Sequence, residues 1–202
     1  MKGKSGGRNV KRLEIAIYGR GGQGAKTAGD LLTRAFHIVG IKSHGQPRYT
    51  ADRMGAPVSY AIRLSLDGSP IYDRSWIKNP EMAAIFDFTL FEELGLYRLI
   101  KDGAMVVLNL SGGEEIPVQA SRYKVRAIDA NSIARRFGLI KGSVPIIGTI
   151  MCGAFAKATG MITLESVLSA LSEVLKGRPK RILELNIMAV ELGYKEVEVL
   201  WG

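Results

Sequence analysis

Ile15 to Thr27 reads I-A-I-Y-G-R-G-G-Q-G-A-K-T, an apolar run that breaks into glycines and then resumes with helical spacing. A strand, a tight turn and a helix are what that order permits. Gly19, Gly21 and Gly24 fit G-x-G-x-x-G, and such a turn takes up left-handed dihedrals while turning backbone N–H groups and a helix N-terminus toward an anion or a carbonyl. Beyond it Ala28, Leu31, Leu32, Ala35 and Val39 recur at steps of three and four. One face can then pack on a sheet while Lys26, Asp30 and Arg34 stay wet.

The rest of the chain alternates between the two periods. Ile41 to Gln46 suggests a short strand, and a polar loop punctuated by Pro and Gly follows from Pro47 to Pro57. Val58, Tyr60, Ile62, Leu64 and Leu66 alternate with Ser59, Ala61, Arg63 and Ser65, which is strand spacing. Asp67-Gly68-Ser69 is a turn, from which Pro70-Ile71-Tyr72 is expected to return as a short edge strand. Ala83 to Leu90 holds another sheet element, with Asp87 near its end, and Phe91 to Ile100 a short helix. Ala104 to Leu110 is apolar enough for a strand covered on both faces and closes on Asn109. Tyr123 to Ile128 is a further strand that hands over at Asp129 to a helix using Ile133, Ala134 and Phe137.

From Pro145 to Thr159 the chain is apolar nearly all round, as in a helix packed on several sides. Thr163 can cap the next helix, and Arg181 to Leu192 supplies the last. The expected fold is α/β, with three layers, an open and mainly parallel sheet, a small hairpin extension and a helical C-terminal section.

With 202 residues, a basic tail over residues 1–12 and one domain over 13–202 is the natural division. The net charge is +9, but Lys2, Lys4, Arg8, Lys11 and Arg12 supply five of those charges before the first strand. The remaining cations alternate with acids and do not interleave with aromatics, so no nucleic-acid partner is expected. Cys152 is the only cysteine, which excludes an internal disulfide and an iron–sulfur cluster held by this chain alone. No apolar run reaches membrane-spanning length and no secretion signal opens the chain; a cytoplasmic protein away from membranes is expected.

A nicotinamide-binding fold of this type needs an acid about twenty residues after the glycines, yet Ile41 to Gln46 contains none. Lys42 and Arg48 are candidates for an additional phosphate, as on NADP or coenzyme A. The turn lacks the spacing and the Gly-Lys-Ser/Thr close of a P-loop. Gln23 can donate and accept at once, which suits a ligand amide or a neighbouring chain. His37 reads as helix surface, His44 as a local structural residue and Cys152 as packing, so no zinc set forms. No catalytic nucleophile, acid pair or metal site emerges.

Taken together, Tyr18-Gly19-Arg20-Gly21-Gly22-Gln23-Gly24-Ala25, Arg53-Met54-Gly55-Ala56-Pro57-Val58, Asp129-Ala130-Asn131-Ser132-Ile133-Ala134 and Ile150-Met151-Cys152-Gly153-Ala154 resemble the motifs of the gamma subunit of pyruvate and related 2-oxoacid:ferredoxin oxidoreductases. The resemblance runs from Leu13 to Val199. It departs from the family at Gly148, where many relatives have asparagine, and at Cys152, where leucine is usual. What it implies is an oxygen-sensitive complex that cleaves a 2-oxoacid, most simply pyruvate, to an acyl-coenzyme A and carbon dioxide while reducing ferredoxin. Thiamine diphosphate with Mg, 4Fe-4S clusters and coenzyme A serve that complex, on alpha, beta and delta subunits. This chain alone would hold none of them. Its candidate cofactor-binding or subunit-interface residues are Gly19, Arg20, Gly21, Gly22, Gln23, Gly24, Lys42, Arg48, Arg53 and Gly55. A 2-oxoisovalerate or indolepyruvate enzyme is the neighbouring alternative, and a stand-alone nucleotide-binding or assembly protein the alternative of a different class.

Overall fold

A computed structural model describes residues 12–49, 54–112 and 118–201; most of the basic tail and Arg53 lie outside the described residues. The first strand, β1 (Arg12–Arg20), runs into the glycine turn and α1 (Ala25–Ile38), followed by β2 (Lys42–Tyr49) and β3 (Pro57–Ser65). Next come β4 (Met82–Ile85), two single-turn helices α2 (Leu90–Glu93) and α3 (Leu96–Leu99), β5 (Met105–Asn109), β6 (Lys124–Ile128) and α4 (Ala130–Arg136). A two-strand ribbon, β7 (Ile140–Lys141) and β8 (Val144–Pro145), leads to α5 (Gly148–Thr159), α6 (Leu164–Val174), α7 (Lys180–Glu196) and β9 (Glu198–Trp201).

The large sheet has the order β2-β3-β1-β4-β5-β6-β9. Its centre, β1-β4-β5-β6, is parallel, while β2 with β3, β3 with β1 and β6 with β9 are antiparallel. The expectation of a mainly parallel sheet is therefore corrected to a mixed one. A parallel crossover needs a dozen or more residues, and the few between Tyr49 and Pro57 permit only a return alongside. β9 comes back antiparallel beside β6 after α7.

The edge strand expected at Pro70 to Tyr72 does not form. β3 already pairs on both sides, with β1 and with β2, so no free edge is left for it. The Asp67 turn itself is present, closed by Ser69 N–H donating to Asp67 Oδ1 at 3.0 Å. The chain then crosses toward β4 under the guanidinium of Arg63. Gly95, with φ of 61°, breaks the expected helix after Phe91 into the two turns α2 and α3.

Alternation along β1 assigns the two faces. Ile15 and Ile17 pack with α1, α4, α5, α6 and α7, whereas Ala16 and Tyr18 pack with α2, α3 and the segment around Ile77. Helices thus cover both faces of the sheet. Within α5 every residue from Gly148 to Ala156 is buried, which matches its apolar circumference. Asp129 and Thr163 cap α4 and α6, accepting from Ser132 N–H at 2.9 Å and Ser166 N–H at 3.1 Å.

Candidate functional site at the carboxyl edge of the parallel strands

The four parallel strands end at one edge of the sheet, and each delivers a polar group there: Arg20 from β1, Asp87 after β4, Asn109 from β5 and Asp129 after β6. Ligands of open α/β sheets bind at this edge. The glycine turn forms its wall. Gly22 and Gly24 have φ of 98° and 89°, a region that side chains other than glycine rarely enter.

The turn's backbone groups are largely used within the chain. Gly21 N–H donates to Ala56 O at 2.9 Å, Gly55 N–H to Gly21 O at 3.1 Å, and Gln23 N–H to Arg20 O at 3.1 Å. Gln23 Oε1 accepts Arg20 N–H at 2.8 Å, and Gln23 O accepts Ile147 and Gly148 N–H at 3.0 and 3.1 Å. A Cβ built on Gly24 would touch Gly148 at 3.4 Å, so the start of α5 lies against the start of α1. This is a braced corner, with fewer open N–H groups than the sequence pattern alone suggests.

Arg20 is the hub. Its Nε donates to Asp87 Oδ2 at 2.7 Å, one terminal nitrogen to Gly55 O at 3.3 Å, and the other to Thr89 Oγ1 at 2.7 Å and Glu93 Oε2 at 2.6 Å. Its hydrogen bond to the Glu93 carboxylate, and then that to Asp87, raise its pKa against the opposing effect of burial. The guanidinium therefore ties the glycine turn to the β4–α2 turn and to Gly55. Removing it as Arg20→Ala leaves two carboxylates facing each other in a partly wet site, and about 1–2 kcal/mol of stability is expected to go with it. A thermal melt checks this: the midpoint should fall by about 2–8 °C.

Between these walls lies a cleft of about 190 Å³ lined by Gln23, Phe86, Asp87, Phe88, Thr89, Asn109 and Asn131. Asn109, 3% exposed, donates to Phe86 O at 2.9 Å and accepts Ala130 N–H at 2.9 Å, which locks the ends of β4 and β5 to the start of α4. Asn131 Nδ2 donates to Ser111 Oγ at 3.0 Å.

Of the sequence candidates, Gly19, Arg20, Gly21, Gly22, Gln23, Gly24 and Gly55 come together here. Met54 lies over Gly22. Arg48 stands at the same end of the sheet, level with Tyr18 through Ser59, but its guanidinium sits 5.2 Å over the Trp76 ring. Lys42 pairs through Ser65 with Arg12, at the opposite end of β1. Arg48 stands six residue steps further along β2, about 20 Å away. The two cations do not share a surface.

Sequence reasoning placed Asp87, Asn109 and Asn131 in the chain without giving them a role, and passed over Thr89 and Glu93. The recoverable signal was a polar residue closing each apolar strand at its carboxyl end.

The donor set does not suit a resident cluster. Cys152 is fully buried, its thiol 3.6 Å from Ala28 O, and burial pushes its pKa well up, away from the thiolate that ligates iron. Among the described residues no three His, Cys, Asp or Glu side chains converge as a metal set, and no described helix is long and apolar enough to cross a membrane.

The model of the pyruvate ferredoxin/flavodoxin oxidoreductase family matches residues 14–196. The chain belongs to that family. Within it the resemblance is to gamma subunits: pyruvate synthase subunit PorC of Methanothermobacter thermautotrophicus is 36% identical over 188 residues, 93% of this chain and 97% of that one. The pyruvate/ketoisovalerate oxidoreductases common subunit gamma of Pyrococcus furiosus is 31% identical over 93% of this chain and 98% of its own length. The crystal structure of pyruvate oxidoreductase subunit PORC from Thermotoga maritima superposes with a TM-score of 0.74 at 26% identity, covering 93% of this chain and 98% of that one. The glycine-bordered edge is thus a feature of a family member that matches gamma subunits from end to end.

Proposed function

We propose that this chain is the gamma component of a multisubunit pyruvate:ferredoxin oxidoreductase, which converts pyruvate and coenzyme A to acetyl-coenzyme A and carbon dioxide while ferredoxin is reduced. The observation that carries the reading is the end-to-end match to a pyruvate synthase subunit, with 97% of that relative covered. Its part is to complete a composite site. Alpha, beta and delta subunits carry the thiamine diphosphate, Mg and 4Fe-4S clusters in this scheme, and ferredoxin takes the electrons. The braced corner at Gly19 to Gly24, Gly55 and Arg20 supplies a rigid surface against those partners, where fixed dipoles act best once water is excluded. Arg53, outside the described residues, is kept as a candidate contact for a partner subunit, and the assembly is proposed to work in the cytoplasm.

A second substrate is favoured by the Pyrococcus furiosus relative, which is common to pyruvate and ketoisovalerate enzymes. A gamma chain shared between two enzymes leaves the choice of oxoacid to its partners. The test is anaerobic reconstitution of the partner subunits with and without this chain, assayed for ferredoxin reduction with pyruvate, 2-oxoisovalerate and indolepyruvate. Coenzyme-A-dependent turnover of pyruvate should require the chain. Full turnover without it, or a chain that binds nucleotide and no partner, overturns the proposal.

A further inference from the structure

The segment that leads into β3 is held to the glycine turn mainly through main chain. Gly21 N–H donates to Ala56 O at 2.9 Å and Gly55 N–H to Gly21 O at 3.1 Å, while Arg20 reaches Gly55 O at 3.3 Å. Met54 adds an apolar cover to these bonds. A Cβ built on Gly22 would lie 2.8 Å from Met54 Cε, 3.1 Å from its Sδ and 3.5 Å from Val144 Cγ1, so the thioether occupies the space that glycine leaves and comes close to β8. Gly22, at φ of 98°, brings no side chain of its own.

This cover is open to water. Met54 is 53% exposed, the most exposed methionine among the described residues, against 43% for Met188 on α7 and 1% for Met151 inside α5. A thioether is a flexible apolar group that a mild oxidant converts into a polar one, and exposure selects which methionine reacts.

We propose that Met54 is a site of reversible oxidation by peroxides, and that its sulfoxide loosens the 54–56 segment from the glycine turn. The thioether sulfur attacks one oxygen of hydrogen peroxide, and the O–O bond breaks as the S–O bond forms. The proton on the transferred oxygen passes to the departing hydroxide, which leaves as water; sulfur gives up two electrons and the peroxide takes them. The product places a strong dipole where Val144 offers only a methyl group. The bonds at Gly21 and Gly55 then lose the apolar cover beside them. Methionine sulfoxide reductases, one for each epimer, return the thioether. In the reading above this corner meets partner subunits, so the reaction concerns the chain before it assembles. The chemistry itself does not rest on that reading.

The full chain without partners is treated with dilute hydrogen peroxide, digested for mass spectrometry, and followed by amide hydrogen exchange at Gly21 and Gly55. Met54 should gain an oxygen at least about ten times faster than Met151. Exchange at Gly21 and Gly55 should then rise about 3- to 10-fold and return after reductase treatment, while that at Ala154 inside α5 stays unchanged, as a local opening requires. Met54→Leu keeps an apolar cover of similar volume without sulfur and should abolish the rise. Met54 reacting no faster than Met151 overturns the site. Oxidation that leaves both glycine amides unchanged, a rise shared by Ala154, or a rise that persists in Met54→Leu overturns its coupling to the turn. None of these readouts involves a partner subunit, so their failure leaves the gamma-subunit reading standing, and failure of the reconstitution leaves this proposal standing.

Discussion

Arg63→Ala is expected to cost about 3 kcal/mol and to lower the melting midpoint by about 6–12 °C. Arg63 stands in the middle of β3 with its side chain 3% exposed. Its Nε donates to Glu14 Oε1 at 2.9 Å, one terminal nitrogen to Asp73 O at 3.3 Å and the other to Ser75 O at 2.5 Å. The segment that leaves β3 and crosses to β4 has no strand partner, so these bonds to its carbonyls replace a ladder. Alanine would leave two carbonyls and one carboxylate short of a donor. Glu14 is 28% exposed and recovers some hydration, which keeps the loss at the lower end of the about 3–5 kcal/mol typical of a broken buried pair. Urea unfolding gives the energy, and limited proteolysis should show earlier cleavage between Asp67 and Ser75. A midpoint within about 2 °C of wild type would remove Arg63 from this role.

Gly153→Ala is expected to be comparably severe, for a steric reason. A Cβ on Gly153 would lie 2.0 Å from Val190 O and 2.9 Å from Tyr194 N, and one on Gly193 would lie 2.2 Å from Ile150 O. These are backbone atoms that no rotamer change can move. α5 and α7 therefore touch through two facing glycines, and a single methyl must push the helices apart. Overpacking commonly costs about 1–3 kcal/mol; the contact here is with main chain on a helix buried from Gly148 to Ala156, which puts the expected value near 3. Gly193→Ala should behave alike. The double variant should cost less than the sum, since one separation of the helices accommodates both methyls. Calorimetry of the two single variants and the double decides it; strict additivity would show that the two glycines relieve independent contacts.

Much of the site was legible because the residues that build it have local signatures. Gly19, Gly21 and Gly24 announce a tight turn, although the left-handed positions are Gly22 and Gly24, Asp129 announces the handover to a helix, and the long apolar runs announce strands covered on both faces. Asp87 and Asn109 were visible as strand ends, yet nothing in their neighbourhoods reveals that they face Gln23. Between Gln23 and Asp87 lie α1, β2, β3 and β4, and α2 and α3 intervene before β5 delivers Asn109; only the parallel register of β1, β4 and β5 brings them to one edge. Lys42 and Arg48 show the converse. They are close in sequence and both basic, and an extended strand separates them.

The sequence by itself determined the order of the main strands and helices, though not the β7–β8 ribbon or β9, together with the place of the glycine turn and the family to which the chain belongs, because these depend on local patterns of side-chain type. Tertiary structure alone decided that the sheet is mixed, that the glycine turn is braced from within by Arg20 and Gln23, and that Gln23, Asp87, Asn109 and Asn131 line one small cleft. Strand direction follows from how connections of given length can return to a sheet, and the charge state of a cleft follows from which distant carboxylates a guanidinium meets. Neither is a property of any stretch of chain taken alone.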